Sequence, residues 1–368
     1  MNTCFFIYII VFAAGLLLTA FFTPVYRVLA EKLDFMDRPA NNHKGHGKAT
    51  ALLGGAAMFS AWILCIFASV LMIVYGVYPE FIKNVVELYI PGLKNVSMQM
   101  FFVILGAFLA VVLGLVDDRF ALSAKSKFTG QFVIACIAVF GGGIRMNLSL
   151  DIPVLSVIAA LFWIMLLMNS INFFDNMDGL AVGTIAIAMF FFSFIAAMNG
   201  QFFIAVFSAL NCGVCCGFWI YNASPASIFM GDSGSHFLGY LAAVVAAEVT
   251  FFDKGYSLSR FPVLIPLLIL AVPLFDTLMV VIIRTLNKKP FWIGDHNHIS
   301  HRFVRMGLSR KKAVLLVHLS ALAVAVGTLP IYWGDFRTAG VLVFQAFLFL
   351  LIITVLQLNN AGKESDNG

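Results

Sequence analysis

Residues 153–198 read PVLSVIAALFWIMLLMNSINFFDNMDGLAVGTIAIAMFFFSFIAAM. This stretch contains two apolar runs, 153–170 and 179–198, each close to the length of about 20 residues that crosses a bilayer. The loop between them is short, polar and rich in aspartate and asparagine. The same alternation of long apolar runs and short polar loops continues along the chain. It predicts an all-α integral membrane protein.

The composition supports this fold class. The 368 residues are 61% hydrophobic and only 11% charged, and the mean hydropathy is +0.97. A soluble domain carries about 25% charged residues, so a soluble protein is excluded, and we expect no nucleic-acid partner. Because no polar stretch is long enough to bury a core of its own, we predict a single polytopic membrane domain over residues 1–368. Its motif loops lie at about 117–127, 169–179, 222–235 and 286–311, and a short polar tail follows at 359–368.

Counting apolar runs of suitable length predicts eleven spanning helices. The predicted spans are 3–23, 50–76, 99–116, 128–146, 153–170, 179–198, 201–221, 236–252, 262–285, 312–331 and 337–358. Seventeen of the 23 Lys and Arg residues fall on one side of this arrangement, together with the C-terminus. Since basic residues concentrate on the cytoplasmic side, we predict an external N-terminus and a cytoplasmic C-terminus. The four motif loops and an active site would then face the cytoplasm.

The first motif loop joins two adjacent carboxylates to two lysines. Asp117 and Asp118 end a predicted span, and Lys125 and Lys127 follow. Neighbouring carboxylates repel each other unless a cation or a lysine lies between them. The pair could therefore bind Mg²⁺ while the lysines hold substrate phosphates. The alternative is a solvated helix end with lysines that reach towards water.

The second motif loop, within residues 169–179, contains no Lys or Arg. Its carboxylate and amide side chains are Asn169, Asn172, Asp175, Asn176 and Asp178. Carboxylates and amides without a local counter-charge indicate contacts to a metal ion or a nucleotide. The alternative is a polar turn in which Asp178 caps the next helix, but a cap accounts for one aspartate and leaves the others unexplained.

The third motif loop runs from Asn222 to Ser235. Asp232 is its one acidic residue, which suits a metal ligand. Ser233 or Ser235 could cap the next helix, and free N–H groups at that helix start would favour a phosphate. Phe229 could stack on a base, or it could be an interfacial aromatic residue.

The fourth motif loop, about 286–311, combines histidines with a dense cationic run. It contains His296, His298, His301 and Arg302. The spacing of the histidines, without cysteine, is a weak signal for zinc. A cationic loop that closes over a diphosphate fits the charge better, and contact with anionic lipid is the alternative. Asp276, which is unusual within a predicted span, could support the site from below.

These motifs, in this order and on one face, resemble the polyprenyl-phosphate N-acetylhexosamine-1-phosphate transferase family, and the resemblance extends from about Asp37 to Arg310. The family includes bacterial undecaprenyl-phosphate GlcNAc-1-phosphate transferases, the phospho-MurNAc-pentapeptide translocase and the eukaryotic dolichyl-phosphate enzyme. The resemblance implies transfer of an N-acetylamino-sugar 1-phosphate, GlcNAc-1-phosphate above all, from a UDP-sugar to undecaprenyl phosphate with release of UMP. It also implies a bacterial cytoplasmic membrane protein that starts a cell-surface polysaccharide. A homodimer is one assembly that we consider.

The resemblance also implies a role for individual residues. Asp117 and Asp118 match the catalytic pair, and Asn172 and Asp232 match the ligands of Mg²⁺, for which Mn²⁺ is an alternative. The implied substrate-binding residues are Lys125, Lys127, Asp175, Asn176, Asp178, Asn222, Phe229, His298, His301 and Arg302. Among these, the lysines match phosphate contacts, Phe229, Asn176 and Asp178 match positions around uracil, and His301 and Arg302 match contacts to the diphosphate and sugar.

One position departs from the family pattern. The bacterial sugar-transferase subgroup reads His-x-His-His in the last loop, whereas Ser300 stands here in place of the middle histidine. The loop also lacks the three consecutive histidines of the pentapeptide translocase. That favours a UDP-amino sugar, with QuiNAc and FucNAc derivatives as alternatives to GlcNAc, over UDP-MurNAc-pentapeptide.

Physical chemistry indicates how the two aspartates act. A phosphate monoester has a second pKa near 6, so a lipid phosphate needs little help from a general base. Phosphoryl transfer depends mainly on positioning and charge neutralisation. We therefore expect Asp117 and Asp118 to organise Mg²⁺ and the lysines. We also expect a direct in-line displacement, with a covalent aspartyl intermediate as the alternative.

Two other classes fit the sequence less well. A CDP-alcohol phosphotransferase requires Ala-Arg after Asp-Gly, but Asp178-Gly179 is followed by Leu180-Ala181. A secondary transporter places polar residues near the membrane midplane, often within internal repeats. Here the polar residues gather at one predicted face, and no repeat is apparent.

Overall fold

The computed structural model describes residues 2–38, 49–146, 152–249, 261–288, 290 and 298–365. These residues form a helical bundle with one small antiparallel sheet. The helices are α1 (Asn2–Lys32), α2 (Gly54–Val74), α3 (Glu80–Phe120), α4 (Ala124–Cys136), α5 (Pro153–Phe174), α6 (Leu180–Met198), α7 (Phe202–Asn222), α8 (Gly231–Glu248), α9 (Ile265–Ile269), α10 (Ala271–Leu286), α11 (Ile299–Arg305), α12 (Arg310–Trp333) and α13 (Phe336–Ser365). The strands are β1 (Met36–Asp37) and β2 (Thr50–Ala51).

Eight of these helices are long and apolar enough to cross a membrane, namely α1, α2, α3, α5, α6, α7, α12 and α13. They confirm an all-α, multi-pass membrane protein. The other three predicted spans do not fall on helices of this set. The span 128–146 covers most of α4 and a π-helical turn (Ile137–Gly141), and 262–285 covers a 3₁₀ turn (Phe261–Leu264), α9 and α10. The span 236–252 takes in α8 from residue 236 to its end at Glu248, and its residues 250–252 lie outside the described residues. The total of eleven remains a prediction.

Several helices run past their predicted ends. α3 begins at Glu80, well before the predicted 99, and ends only after the two aspartates of the first motif loop. α1 continues to Lys32, and α13 takes in residues 359–365 of the predicted polar tail. Hydropathy marks the apolar part of a helix, whereas the hydrogen-bonded helix continues into polar sequence until a residue breaks it. In α3 that residue is Ala121, whose left-handed backbone (φ 50°) closes the last turn.

α8 lies in the interior of the bundle, packed against α3, α5 and α2. Every residue from Ser233 to Ala246 is buried. Its approach to α3 depends on Gly114, because a Cβ at that position would lie 2.2 Å from the backbone nitrogen of Ser233. Protein rather than lipid surrounds α8, so it can carry polar side chains that a lipid-facing helix would not tolerate. This explains its weak apolar signal.

The start of α2 fastens the loop that precedes α8. The N–H of Phe229 donates to the carbonyl of Ala51 at 2.8 Å, and the N–H of Gly54 donates to the carbonyl of Phe229 at 3.1 Å. The N–H of Gly55 donates to the carbonyl of Met230 at 3.0 Å. The β1–β2 segment and the loop at 223–230 are therefore joined, and the first turn of α8 starts from a fixed position.

Candidate active site

The end of α3, the start of α4, the end of α5 and the start of α8 meet at one end of the bundle. The centre of this cluster is Lys127, whose Nζ lies 2.5 Å from Asp117 Oδ2 and 2.5 Å from Asp232 Oδ2. One ammonium group thus stands between two carboxylates from different helices. Burial alone would lower the pKa of Lys127, but the neighbouring Asp232 and Asp117 raise it above its ordinary value. The lysine therefore stays charged.

Asn172 holds the other oxygen of the Asp232 carboxylate. Its Nδ2 donates to Asp232 Oδ1 at 2.7 Å and to Ser235 Oγ at 2.9 Å, while its Oδ1 lies 3.5 Å from Lys127 Nζ. The two residues predicted to share a metal ion are therefore in direct contact. α5 contributes the amide and α8 the carboxylate.

The side chain of Asp118, on α3, caps the start of α8. Its Oδ1 accepts the backbone N–H of Asp232 at 2.8 Å, and its Oδ2 accepts the N–H of Ser233 at 3.2 Å. The expectation of free N–H groups for a phosphate at this helix start is therefore wrong, because a carboxylate from α3 already binds them. The cap also comes from α3 rather than from the predicted serines: Ser233 Oγ donates to the Met230 carbonyl and Ser235 Oγ to the Asp232 carbonyl.

The adjacent carboxylates of Asp117 and Asp118 thus have different partners. Besides Lys127, Asp117 accepts the backbone N–H of Leu122 at 2.9 Å, in the turn that ends α3. The second predicted phosphate contact, Lys125, lies exposed on the first turn of α4. The pair therefore organises two different elements, a lysine and a helix start.

The loop between α5 and α6 is tied to the loop before α8. Asp178 Oδ2 accepts the N–H of Ala226 at 3.1 Å, and Asn222 Oδ1 accepts the N–H of Gly179 at 3.0 Å. Asn222 also donates to the Ile228 carbonyl at 2.9 Å and is buried. Asp178 does not cap α6, whose first residues receive no side-chain cap. Asn222, predicted to contact substrate, uses both ends of its amide to fasten the two loops.

Asp175 faces a concentration of negative charge. Burial, followed by the charges of Asp232, Asp118 and Asp178, raises the pKa of Asp175 to about 8. The pKa of an isolated aspartate is near 3.9. The carboxyl group of Asp175 therefore keeps its proton at neutral pH unless a cation or a cationic ligand lies nearby.

In the fourth motif loop, the turn that begins α11 is anchored by hydrogen bonds. His298 Nδ1 lies 2.7 Å from Asp276 Oδ2, and the N–H of Ile299 donates to Asp276 Oδ1 at 2.6 Å. Asp276 thus holds the start of α11 from α10, which agrees with its expected supporting position. The ring of His301 lies 6.4 Å from that of His298, and Arg302 is buried. Lys289 and residues 291–297, with His296, lie outside the described residues.

Phe229 and Asn176 complete the predicted set. Phe229 is half-buried in the loop that α2 fastens. Asn176 Nδ2 donates to the Phe173 carbonyl at 3.2 Å, and its Oδ1 accepts the hydroxyl of Ser300 at 2.6 Å. Asn176 is therefore bound within the protein on both sides.

Sequence reasoning missed a buried polar network beneath the cluster. Gln131 Nε2 lies 3.1 Å from His236 Nε2, and Asn169 Nδ2 donates to Gln131 Oε1 at 2.6 Å. Asn169 Nδ2 also donates to the Met165 carbonyl. Gln131 and His236 are fully buried. This layer joins α4, α5 and α8, three of the four helices that carry the cluster above it.

Helical spacing was the signal that could have found this network. Gln131 follows Lys127 by one turn of α4, and His236 follows Asp232 by one turn of α8. Residues four apart lie on the same face of a helix. A polar residue one turn deeper than a site residue therefore points to the same helix interface.

The donor set of the cluster fits a magnesium ion that shares its ligands with a substrate. Within the described residues, no three His, Cys, Asp or Glu side chains converge into a complete metal site. Mg²⁺ favours oxygen ligands and is usually held by one or two carboxylates together with substrate phosphates. Asp232 and the amide oxygen of Asn172 offer such oxygens. The ammonium of Lys127, between Asp117 and Asp232, shows that the position accepts a positive charge.

Comparison with known proteins shows where the chain belongs. The sequence profile of glycosyl transferase family 4 matches residues 100–250. The chain is 31% identical over 354 residues to the probable undecaprenyl-phosphate N-acetylglucosaminyl 1-phosphate transferase of Bacillus subtilis, covering 94% of this chain and 90% of the relative. It is 28% identical to the decaprenyl-phosphate N-acetylglucosaminephosphotransferase of Mycolicibacterium smegmatis, covering 95% and 88%.

A third relative matches a shorter part of the chain. The chain is 29% identical over 255 residues to the phospho-N-acetylmuramoyl-pentapeptide-transferase of Bacillus velezensis, covering 63% of this chain and 74% of the relative. The profile match includes Asp117, Lys127, Asn172 and Asp232, which form the cluster. The predicted resemblance is confirmed, and the chain belongs to the polyprenyl-phosphate sugar-1-phosphate transferases of glycosyl transferase family 4.

Proposed function

We propose that this protein transfers N-acetylglucosamine 1-phosphate from UDP-N-acetylglucosamine to undecaprenyl phosphate and releases UMP, as the first step towards a cell-surface polysaccharide. The observation that carries the proposal is Lys127 held between Asp117 and Asp232, with Asn172 on the same carboxylate. Relatives named for the same group transfer support it. The QuiNAc and FucNAc derivatives and the muramyl pentapeptide are the alternative donors.

The difficulty of this reaction is electrostatic. An oxygen of the lipid phosphate attacks the β-phosphorus of the UDP-sugar. A new P–O bond forms, the bond from that phosphorus to the bridging oxygen breaks, and the bridging oxygen leaves with UMP. The attacking phosphate is already ionised at pH 7, but it must approach a diphosphate that is also negative. Catalysis therefore requires positive charge in a fixed place.

The cluster supplies that charge and fixes it. Lys127 provides a buried cation, and Asp117 positions it from α3. Asp118 holds the first turn of α8, so that Asp232 points towards Lys127. Asp232 and Asn172 would hold Mg²⁺, which would neutralise charge on the diphosphate when bound. In this account Asp117 and Asp118 organise the site, and neither is required to remove a proton.

Two neighbouring elements suit the rest of the donor. By family resemblance, Asp178 and Phe229 match positions around the uracil. Asp178 binds the N–H of Ala226, in the same loop that contains Phe229, and this contact supports the match. His301 and Arg302 on α11 match contacts to the diphosphate and sugar. The prevalence of Lys and Arg on this side of the chain supports a cytoplasmic site, where UDP-sugars are available.

The direct test uses purified full-length protein, undecaprenyl phosphate, Mg²⁺ and a panel of UDP-amino sugars, with release of UMP as the readout. We expect UMP only when lipid, divalent cation and one preferred donor are all present. Asp232→Ala should abolish release. The matched control Asp335→Ala removes an exposed aspartate between α12 and α13 and should leave it unchanged. Folded protein that releases no UMP from any donor would contradict the proposal.

A further inference from the structure

Ser300, the residue that departs from the family's histidine pattern, is fully buried. Its hydroxyl donates to Asn176 Oδ1 at 2.6 Å. The orientation of the Asn176 amide is fixed independently, because its nitrogen donates to the Phe173 carbonyl at 3.2 Å. The oxygen that faces Ser300 is therefore an acceptor, and the hydroxyl must be the donor. Ser300 thus joins α11 to the α5–α6 loop.

We propose that Ser300 is a positioning residue for the nucleotide-sugar donor. Its hydrogen bond holds the loop at 175–179 and the helix α11 in a fixed position relative to each other. This inference rests on the proposed function and adds a residue to it. The loop and α11 are the two elements assigned to the two ends of the same donor molecule. A bond between them fixes the distance that the donor must span.

Each of the two elements also has an anchor of its own. The loop is fastened to the segment before α8 through Asp178 and Asn222. α11 is fastened to α10 through Asp276, and its apolar residues Ile299 and Phe303 are buried. Loss of the Ser300 hydroxyl therefore leaves each element attached to its own support. The expected change is in the position of the loop relative to α11.

The absence of a histidine side chain at position 300 has a structural reason. Ser300 has no exposed surface, and its oxygen is in hydrogen-bond contact with the loop. A larger side chain there would require α11 to move away from the loop, since interiors are closely packed. The small serine side chain thus allows the close approach of α11 to the loop. Where the family pattern has a histidine, this chain has a direct hydrogen bond between the two elements.

The test compares Ser300→Ala with wild type in the full-length protein. Binding of UDP-N-acetylglucosamine is measured by calorimetry without lipid acceptor, so that no turnover occurs. We expect the donor Kd and the donor KM to rise about tenfold, the effect of one buried hydrogen bond. We expect the KM for undecaprenyl phosphate to stay within about twofold. Ser320→Ala, which removes a buried hydroxyl bonded only within α12 to Leu316, should behave as wild type.

Hydrogen exchange provides a readout that does not depend on the reaction. In Ser300→Ala, the amides of 175–179 and of α11 should exchange faster, while those of α12 should not change. If Ser300→Ala does not fold, Ser300→Cys keeps the side-chain volume, weakens the donor and carries the same comparison. Unchanged exchange in the folded variant, or equal changes in donor and acceptor KM, would overturn the inference. Failure of wild type to bind any UDP-sugar, with exchange responding as expected, would instead count against the proposed function.

Discussion

The carboxylate of Asp118, at the end of α3, accepts the backbone N–H of Asp232, in the first turn of α8, at 2.8 Å. Its second oxygen accepts the next N–H, from Ser233. A carboxylate at a helix N-terminus is stabilised by the positive end of the helix dipole. Here that interaction joins a residue expected to be catalytic to one expected to bind metal. Asp118 therefore positions Asp232.

Asp118→Ala should therefore weaken the response to Mg²⁺ as well as the rate. We expect the Mg²⁺ concentration for half-maximal UMP release to rise about 10- to 100-fold, the usual cost of removing a residue that positions a metal ligand. Asp117→Asn is the comparison, because it disturbs Lys127 and leaves the start of α8 bound. Its rate should fall with the Mg²⁺ requirement nearly unchanged. Identical Mg²⁺ profiles for the two variants would contradict this division of roles.

Gly114→Ala should misplace the site without altering any of its polar groups. The added Cβ would lie 2.2 Å from the nitrogen of Ser233 and 2.4 Å from the carbonyl carbon of Asp232, so α8 must shift. A displacement of about 1 Å can reduce an enzymatic rate about 100-fold. Turnover should fall at least about tenfold, together with the Tm. Gly327→Ala, in α12 with open space at the new Cβ, is the control and should retain activity.

Lys127→Ala should lower both the stability of the metal-free protein and its activity, but Mg²⁺ should restore only the stability. Without the ammonium group, the carboxylates of Asp117 and Asp232 face each other with no intervening cation. In EDTA the Tm should fall, and added Mg²⁺ should raise it by more than it raises that of wild type. UMP release should be lost at every Mg²⁺ concentration, because we propose that the lysine itself contacts a substrate phosphate during turnover. An unchanged Tm in EDTA would show that the lysine does not neutralise this pair.

Asp175→Asn should stabilise the metal-free protein in a pH-dependent way. The pKa of Asp175 is raised to about 8, so the folded state binds its proton more tightly than the unfolded state. Stability linked to this group is therefore lost as pH rises from about 4 through about 8. The Tm advantage of Asp175→Asn in EDTA should grow from pH 5 to pH 8 and level off above that. An advantage that shrinks over this interval would mean that the pKa is not raised.

The fold class was predictable because a bilayer imposes a length on each apolar run. Eight helices meet that length clearly. α8, with 18 residues, is long enough but more polar, because its surroundings are protein, and burial by other helices cannot be read from one helix's own hydropathy. The split of residues 261–286 by a 3₁₀ turn and a break at Leu270 also escaped hydropathy, which averages over such breaks.

The site was predictable as a set of residues more than as a set of contacts. Asp117, Lys127, Asn172 and Asp232 were all expected, and the structure brings them together. The substrate contact expected of Asn222 stays a prediction. The structure adds that its amide fastens two loops, which could not be predicted because sequence does not show which way an amide turns.

Contacts between distant elements were the other gap. Asp118 was expected to share a cation with its neighbour, whereas it binds the start of a helix more than a hundred positions away. The bond from Ser300 to Asn176 likewise joins two motif loops that the sequence presents separately.

The most direct test of the account follows the label from the β-phosphate of UDP-N-acetylglucosamine into lipid. Membranes or proteoliposomes containing the full-length protein are supplied with undecaprenyl phosphate and Mg²⁺, and the organic phase is counted. We expect label to enter the lipid in equal amount to the UMP released, and we expect Asp232→Ala to stop both while the protein stays folded. Label that remains in water, or lipid labelling that persists in Asp232→Ala, would contradict the proposed transfer at this cluster.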